Sequence, residues 1–92
     1  MGLGYCLSEE LRFNGGEIKD LSFSDYEITH FSWVPRIEAV LIDNPELAPQ
    51  GGGEPPITCM GGLMANALFD AVGVRLNRLP LTPGRIKEAL KA

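Results

Sequence analysis

Leu3, Leu7 and Leu11 fall at i, i+4 and i+8, which predicts a helix from the first residues, uncapped at its start, as though the beginning were truncated. Asn14-Gly15-Gly16, between Arg12-Phe13 and Glu17-Ile18, has the turn chemistry of a short hairpin. Tyr26 to Trp33 is rich in aromatic and β-branched residues and is expected to be extended, with Pro35 closing it. From Arg36 to Ile42 both alternating faces are largely apolar, with Ile37, Ala39 and Leu41 on one and Val40 and Ile42 beside Glu38 on the other. Such a strand needs cover on both sides.

Asp43 to Pro56 is a connection in which seven positions are Gly or Pro. A structureless stretch of this length in a small domain is usually functional or disordered. After it, Ile57, Met60, Leu63, Met64, Ala67, Leu68, Ala71 and Val72 repeat with helical period, and Gly73 is placed to end that helix in the left-handed conformation. Its other face carries Thr58, Gly62, Ala65 and Phe69, with only Asn66 and Asp70 strongly polar, which is the pattern of a buried helix. Gly61, Gly62 and Ala65 permit either tight helix packing or the close approach of a ligand. Arg75 to Leu81 is read as a last short strand. Thr82-Pro83 is then an N-cap followed by proline at the first helical position of a terminal helix, with Ile86 and Leu90 as its apolar stripe and Arg85, Lys87 and Lys91 as a solvated face.

The fold class expected from these elements is α+β, with a short hairpin, a few strands and two to three helices in one unit, residues 1–92. A two-sided apolar strand and an all-round apolar helix demand more covering layers than the remaining elements supply. The unit is therefore expected to be a partial domain, part of a larger core, and by itself to self-associate or pack loosely.

Composition narrows the partners. The chain has 92 residues and a net charge of −4, and its eight Lys and Arg form no run, so the footprint of a nucleic-acid binder is missing. No apolar stretch approaches the length of a membrane span, and the N-terminus has neither the basic region nor the apolar core of a signal peptide, which leaves cytoplasm and periplasm equally open. Cys6 and Cys59 lie far apart in sequence and each sits in an apolar helical pattern, so both are expected in the core. His30 has no second imidazole or Cys-x-x-Cys near it and is read as structural; no protein metal ligands are assigned.

The candidate chemistry lies at Gln50-Gly51-Gly52-Gly53-Glu54-Pro55-Pro56, where one carboxylate stands between three glycines and two prolines directly ahead of the long helix. Glycine permits close backbone approach and positive φ, whereas the prolines fix φ and remove two donors, so the loop is permissive on one side of Glu54 and rigid on the other. A solvated glutamate in an ordinary connector is the simpler account from composition alone.

The motif Gly51 to Pro56, followed by Met64-Ala65-Asn66-Ala67-Leu68-Phe69-Asp70-Ala71-Val72-Gly73 and Arg78-Leu79-Pro80-Leu81-Thr82-Pro83, closely resembles the C-terminal end of molybdenum hydroxylase large subunits. The resemblance is to the xanthine dehydrogenase and aldehyde oxidase family, particularly the branch formed by isoquinoline 1-oxidoreductase β-subunits. Gly2 to Leu11 and Val34-Pro35-Arg36-Ile37-Glu38 resemble the stretches preceding the motif, more weakly. The resemblance implies a molybdenum–pterin dinucleotide cofactor, with Gly52 and Gly53 lying against it and Glu54 as the catalytic base. The matching glutamate takes a proton from a hydroxo ligand of molybdenum, the oxygen attacks an electron-poor carbon of an N-heterocycle or aldehyde, and hydride passes to a sulfido ligand. It further implies two partners, the remainder of the large subunit and a 2Fe–2S small subunit that removes electrons. A general base works best with its pKa near the operating pH, which burial of a carboxylate favours. Family large subunits have several hundred residues, so this chain alone is expected to be inactive and without cofactor, and Gly52 stands at the family's variable position. The alternative is a small non-catalytic binding or interaction domain whose Gly/Pro loop only connects.

Overall fold

Capping and turn residues fix the local elements where the sequence places them. The computed structural model describes every residue from Met1 to Ala92. Helix α1 spans Gly2–Leu7, strands β1 (Phe13–Asn14) and β2 (Glu17–Ile18) form the hairpin, a single 3-10 turn covers Phe31–Trp33, and helices α2 (Pro55–Thr58), α3 (Met60–Val72) and α4 (Pro83–Ala89) follow. The hairpin pairs Phe13 with Ile18 and Asn14 with Glu17, and its two linking glycines both take positive φ, Gly15 at 59° and Gly16 at 85°. Only glycine does this at little cost. Gly73 ends α3 at φ 73°, its amide bonded to the Phe69 carbonyl. Thr82 caps α4 by accepting the Arg85 amide at 3.4 Å, with Pro83 at the first helical position. With α2 and α3 parted by one residue, the unit is small and of mixed α+β class, as expected.

Three expected strands do not form. Tyr26 to Trp33 is irregular and ends in the 3-10 turn, Arg36 to Ile42 is unpaired and exposed, and Arg75 to Leu81 is irregular, passing a cis Leu79–Pro80 peptide bond. Their composition suits a pleated surface, but a strand is stable only against a neighbour, and the one sheet present is the two-stranded hairpin. The long helix is likewise correct in place and wrong in burial: no residue of α3 is buried, and Leu63, Phe69 and Val72 are substantially exposed.

The small core lies where α1 meets the C-terminal return. Cys6 and Leu81 are its buried hydrophobic residues, and the Leu81 amide donates to the Cys6 carbonyl. Gly2 lies against Met60 at the start of α3, where an added Cβ would come within 2.5 Å of Met60 Cγ. Around this core run two ionic clamps. Arg85 donates twice to Glu10, at 2.7 and 2.9 Å, and once to the Pro80 carbonyl at 2.8 Å, while Arg78 approaches Glu10 at 3.4 Å. Arg85 therefore does not belong to the solvated face assigned to it from sequence. Arg12 grips Asp20 through its backbone amide at 2.6 Å, its Nε at 2.9 Å and its Nη2. The Asp20 side chain is 1% exposed, which makes this the better shielded clamp.

Such a core is thin for the chain length. The accessible surface is 7809 Å² and the radius of gyration 16.8 Å. A compact monomer of 10.0 kDa exposes about 5,200 Å² and has a radius of gyration near 12 Å. About 2,600 Å² of surface that a closed domain would cover thus faces outward.

The clamps make stability dependent on pH at both ends. Hydrogen bonds from Arg12 hold Asp20 below its ordinary pKa of 3.8, and hydrogen bonding to Arg85 holds Glu10 below 4.5. A lowered folded pKa gives stability that is full above the unfolded value and lost as pH falls through the folded one. Tyr26, donating to Glu9 at 3.0 Å, is held above its ordinary value of 10.0 by that bond, and burial raises Cys6 above 9.0, so both contribute stability lost only as pH rises through their folded values. The urea midpoint is expected to be flat from about pH 5 to 8, to fall below about pH 4, and to fall again above about pH 9 to 10. Asp20→Asn should lower the plateau and flatten the acid limb, and an unchanged acid limb would show that the Arg12 clamp does not contribute.

Candidate functional site

Gly51, Gly52 and Gly53 run exposed into Glu54, which holds the N-cap position of α2. The Glu54 carbonyl accepts from the amides of Ile57 at 2.9 Å and Thr58 at 3.2 Å, so its backbone is tied into the first helical turn. Its carboxylate caps nothing and enters no hydrogen bond or ion pair. A charged oxygen pair is thus presented outward from a fixed main-chain position. The two prolines start α2, where their missing N–H groups are not needed.

The turn that carries Glu54 is closed by side chains. Thr58 Oγ1 donates to the Pro55 carbonyl at 3.0 Å, and Cys59 Sγ donates to the Pro56 carbonyl at 3.3 Å. Those bonds sit where the helix breaks between α2 and α3, and they are roles that periodicity alone did not suggest for Thr58 and Cys59. Cys59 is exposed, which corrects its expected place in the core; Cys6 is buried as expected. The difference is one of neighbours, because Cys6 faces the return segment and nothing covers the α2–α3 junction.

None of the three glycines at the motif has positive φ, so their conformational licence is not what the loop uses. What they leave is space: a Cβ at Gly51, Gly52 or Gly53 would meet nothing within 4 Å. The amides of Gly51, Gly52, Gly53 and Glu54 donate to no protein group. Consecutive free amides on open backbone suit the anionic oxygens of a phosphate- or oxo-bearing ligand. The principal recesses of the molecule are lined by other residues, and Glu54 has no pocket wall around it. No three His, Cys, Asp or Glu residues cluster to hold a metal ion.

Beyond the loop, Gly61 takes close packing, since an added Cβ would lie 3.4 Å from Leu79 Cδ1, whereas the same position on Gly62 is open. Arg75 folds back on α3, donating to Asn66 Oδ1 at 2.6 Å and lying 4.3 Å from the centroid of the Phe69 ring. His30 is exposed, 4.5 Å from the Trp33 ring centroid and 3.7 Å from Glu27. None of these groups lies in the motif loop.

No protein-family model matches the chain. The chain belongs to the xanthine dehydrogenase and aldehyde oxidoreductase family, whose molybdenum-binding subunits match it at 26–33% identity across most of its length. They include one subunit of the nicotinate dehydrogenase of Pseudomonas putida, 31% identical over 84 residues, or 91% of this chain. A putative xanthine dehydrogenase molybdenum-binding subunit of Escherichia coli is 33% identical over 96% of the chain. A membrane-bound aldehyde dehydrogenase (pyrroloquinoline-quinone) of Gluconacetobacter polyoxogenes is 31% identical over 98%. The chain spans only 7% of the first relative's length and 12% of the other two.

The two cysteines offer a direct check on this geometry. An aromatic disulfide reagent should titrate Cys59 alone in the native chain and Cys6 only on unfolding, because burial both blocks Cys6 and disfavours its thiolate. Equal native rates for the two thiols would show that the α1 core does not form in solution.

Proposed function

We propose that this chain is the catalytic-base segment of a molybdenum-dependent hydroxylase, drawn from the C-terminal part of a molybdopterin-binding catalytic domain, with Glu54 as the base. The observation that carries the reading is the free Glu54 carboxylate, fixed by α2 and flanked by glycines with unpaired amides, in a chain whose relatives are molybdenum-binding subunits. A molybdenum–pterin dinucleotide bound at this loop would supply a two-electron acceptor. Gly52 and Gly53 would hold it through their main chain, since nothing beside them blocks approach.

Glu54 accepts the proton of the water-derived hydroxyl that becomes the product oxygen. Its carboxylate has no competing partner and is free to do so. The α2 turn orients it, and Thr58 keeps that turn closed. Water would be excluded by the remainder of the large subunit, which this segment needs as a partner, and electrons would leave through a 2Fe–2S small subunit. The names of the relatives, nicotinate, xanthine and aldehyde dehydrogenases, favour an N-heterocycle or aldehyde as substrate. One of them names a quinone as cofactor, so metal content separates two chemistries.

Alone, the chain should carry no molybdenum, because one open loop cannot enclose a cofactor that specific sites bury by about 70% or more. Metal analysis after expression in a host that makes the cofactor checks this, and near-stoichiometric molybdenum would contradict it.

In a complete enzyme containing this segment, Glu54→Gln keeps shape and removes proton acceptance. Substrate-driven reduction should slow by about 10²–10⁴-fold with folding and cofactor content nearly unchanged. Glu46→Gln, in the same connection but outside the motif, should stay within a factor of a few. Equal, small effects of the two substitutions would instead favour a non-catalytic connector.

A further inference from the structure

We propose that Arg36–Ile42 pairs with the same stretch of a second copy of this chain, as an antiparallel two-stranded ladder about a two-fold axis at Ala39. The inference concerns the chain by itself and is independent of the role given to Glu54. Residues 35–43 neither donate nor accept a main-chain hydrogen bond anywhere in the molecule. Their large apolar side chains are the least covered in the chain's middle: Ile37 is 75% exposed, Val40 87%, Leu41 94% and Ile42 89%. Unpaired backbone groups beside β-prone apolar side chains form a template for strand addition. Arg36 and Glu38 pair with each other and leave no net charge to repel a copy.

The stretch is also bounded on both sides. Pro35 has no N–H to give a ladder, and Asn44-Pro45 stops it at the other end. The area fits as well. A stable dimer buries about 600–1,000 Å² per partner, and this chain exposes about 2,600 Å² more than a compact monomer of its mass.

Symmetry selects the register. With a two-fold axis perpendicular to the ladder, one residue must face its own copy. Glu38 there would set two carboxylates against each other, and Ile37 would draw Pro35 into the ladder. Val40 would place Ile37 opposite Asp43. Ala39 on the axis puts Ile37 opposite Leu41, Glu38 opposite Val40 and Arg36 opposite Ile42, with no like charges facing and the smallest side chain where the strands meet themselves.

Sedimentation velocity should give twice the chain mass for the wild type and the single-chain mass for Ala39→Pro. The substitution removes one ladder donor at a residue that the monomer does not use, and unchanged helical circular dichroism confirms that the fold survives. On a Cys59→Ser background, Ala39→Cys should oxidise to a cross-linked dimer at least about tenfold faster than Glu38→Cys or Val40→Cys, since only position 39 faces itself at disulfide range. A monomeric wild type, an Ala39→Pro chain that still dimerises, or fastest cross-linking at 38 or 40 would each overturn the proposal.

Discussion

Everything ordered in this molecule depends on joining its two ends. The carbonyl of Cys6 takes the amide of Leu81, and the same two side chains supply the buried apolar contact. The neighbouring contacts repeat the theme at larger sequence separation, with Glu10 gripped by Arg85 and Gly2 set against Met60. Closing so long a loop costs entropy that grows only slowly with length, so one well-packed helix and a bidentate ion pair can hold it. What they hold is a frame, with α3 and the middle of the chain displayed on it.

The loop that presents Glu54 hangs from that frame through α3. Its orientation comes from local chemistry: two prolines that start a helical turn, a threonine and a cysteine that return hydrogen bonds to the carbonyls freed at the break, and main-chain bonds to the Glu54 carbonyl. A carboxylate positioned mainly by its own sequence neighbours can be carried intact into a larger assembly. This suits a segment that supplies one group to a site completed by other parts of a protein.

How much could be read from the residues follows from the range of the forces involved. The Gly15-Gly16 turn, the Gly73 stop and the Thr82-Pro83 start all depend on contacts a few residues long, and each was legible. The strands at Tyr26–Trp33, Arg36–Ile42 and Arg75–Leu81 were read from composition that suits a sheet, but a sheet requires partners from elsewhere, and none is present. Arg85 looked solvated because the helix period says nothing of Glu10, which meets it only in the folded chain. Cys59 looked like core because α3 is apolar all round, and apolarity states a demand for cover without supplying it. For the site, the motif around Glu54 was visible and its enclosure was not.

The pairing of α1 with the C-terminal return has a topological consequence. Because residues 2–10 and 79–85 are bound to each other, and α1 is also set against α3, the long middle is a closed excursion whose two feet are fastened together. A backbone cut between Asp43 and Gly53 would leave two pieces still clasped by the Cys6–Leu81 and Glu10–Arg85 contacts, with no regular element severed. The excursion is therefore the part of the chain whose length can vary most freely, while the residues at its feet set the spacing that any variant must keep.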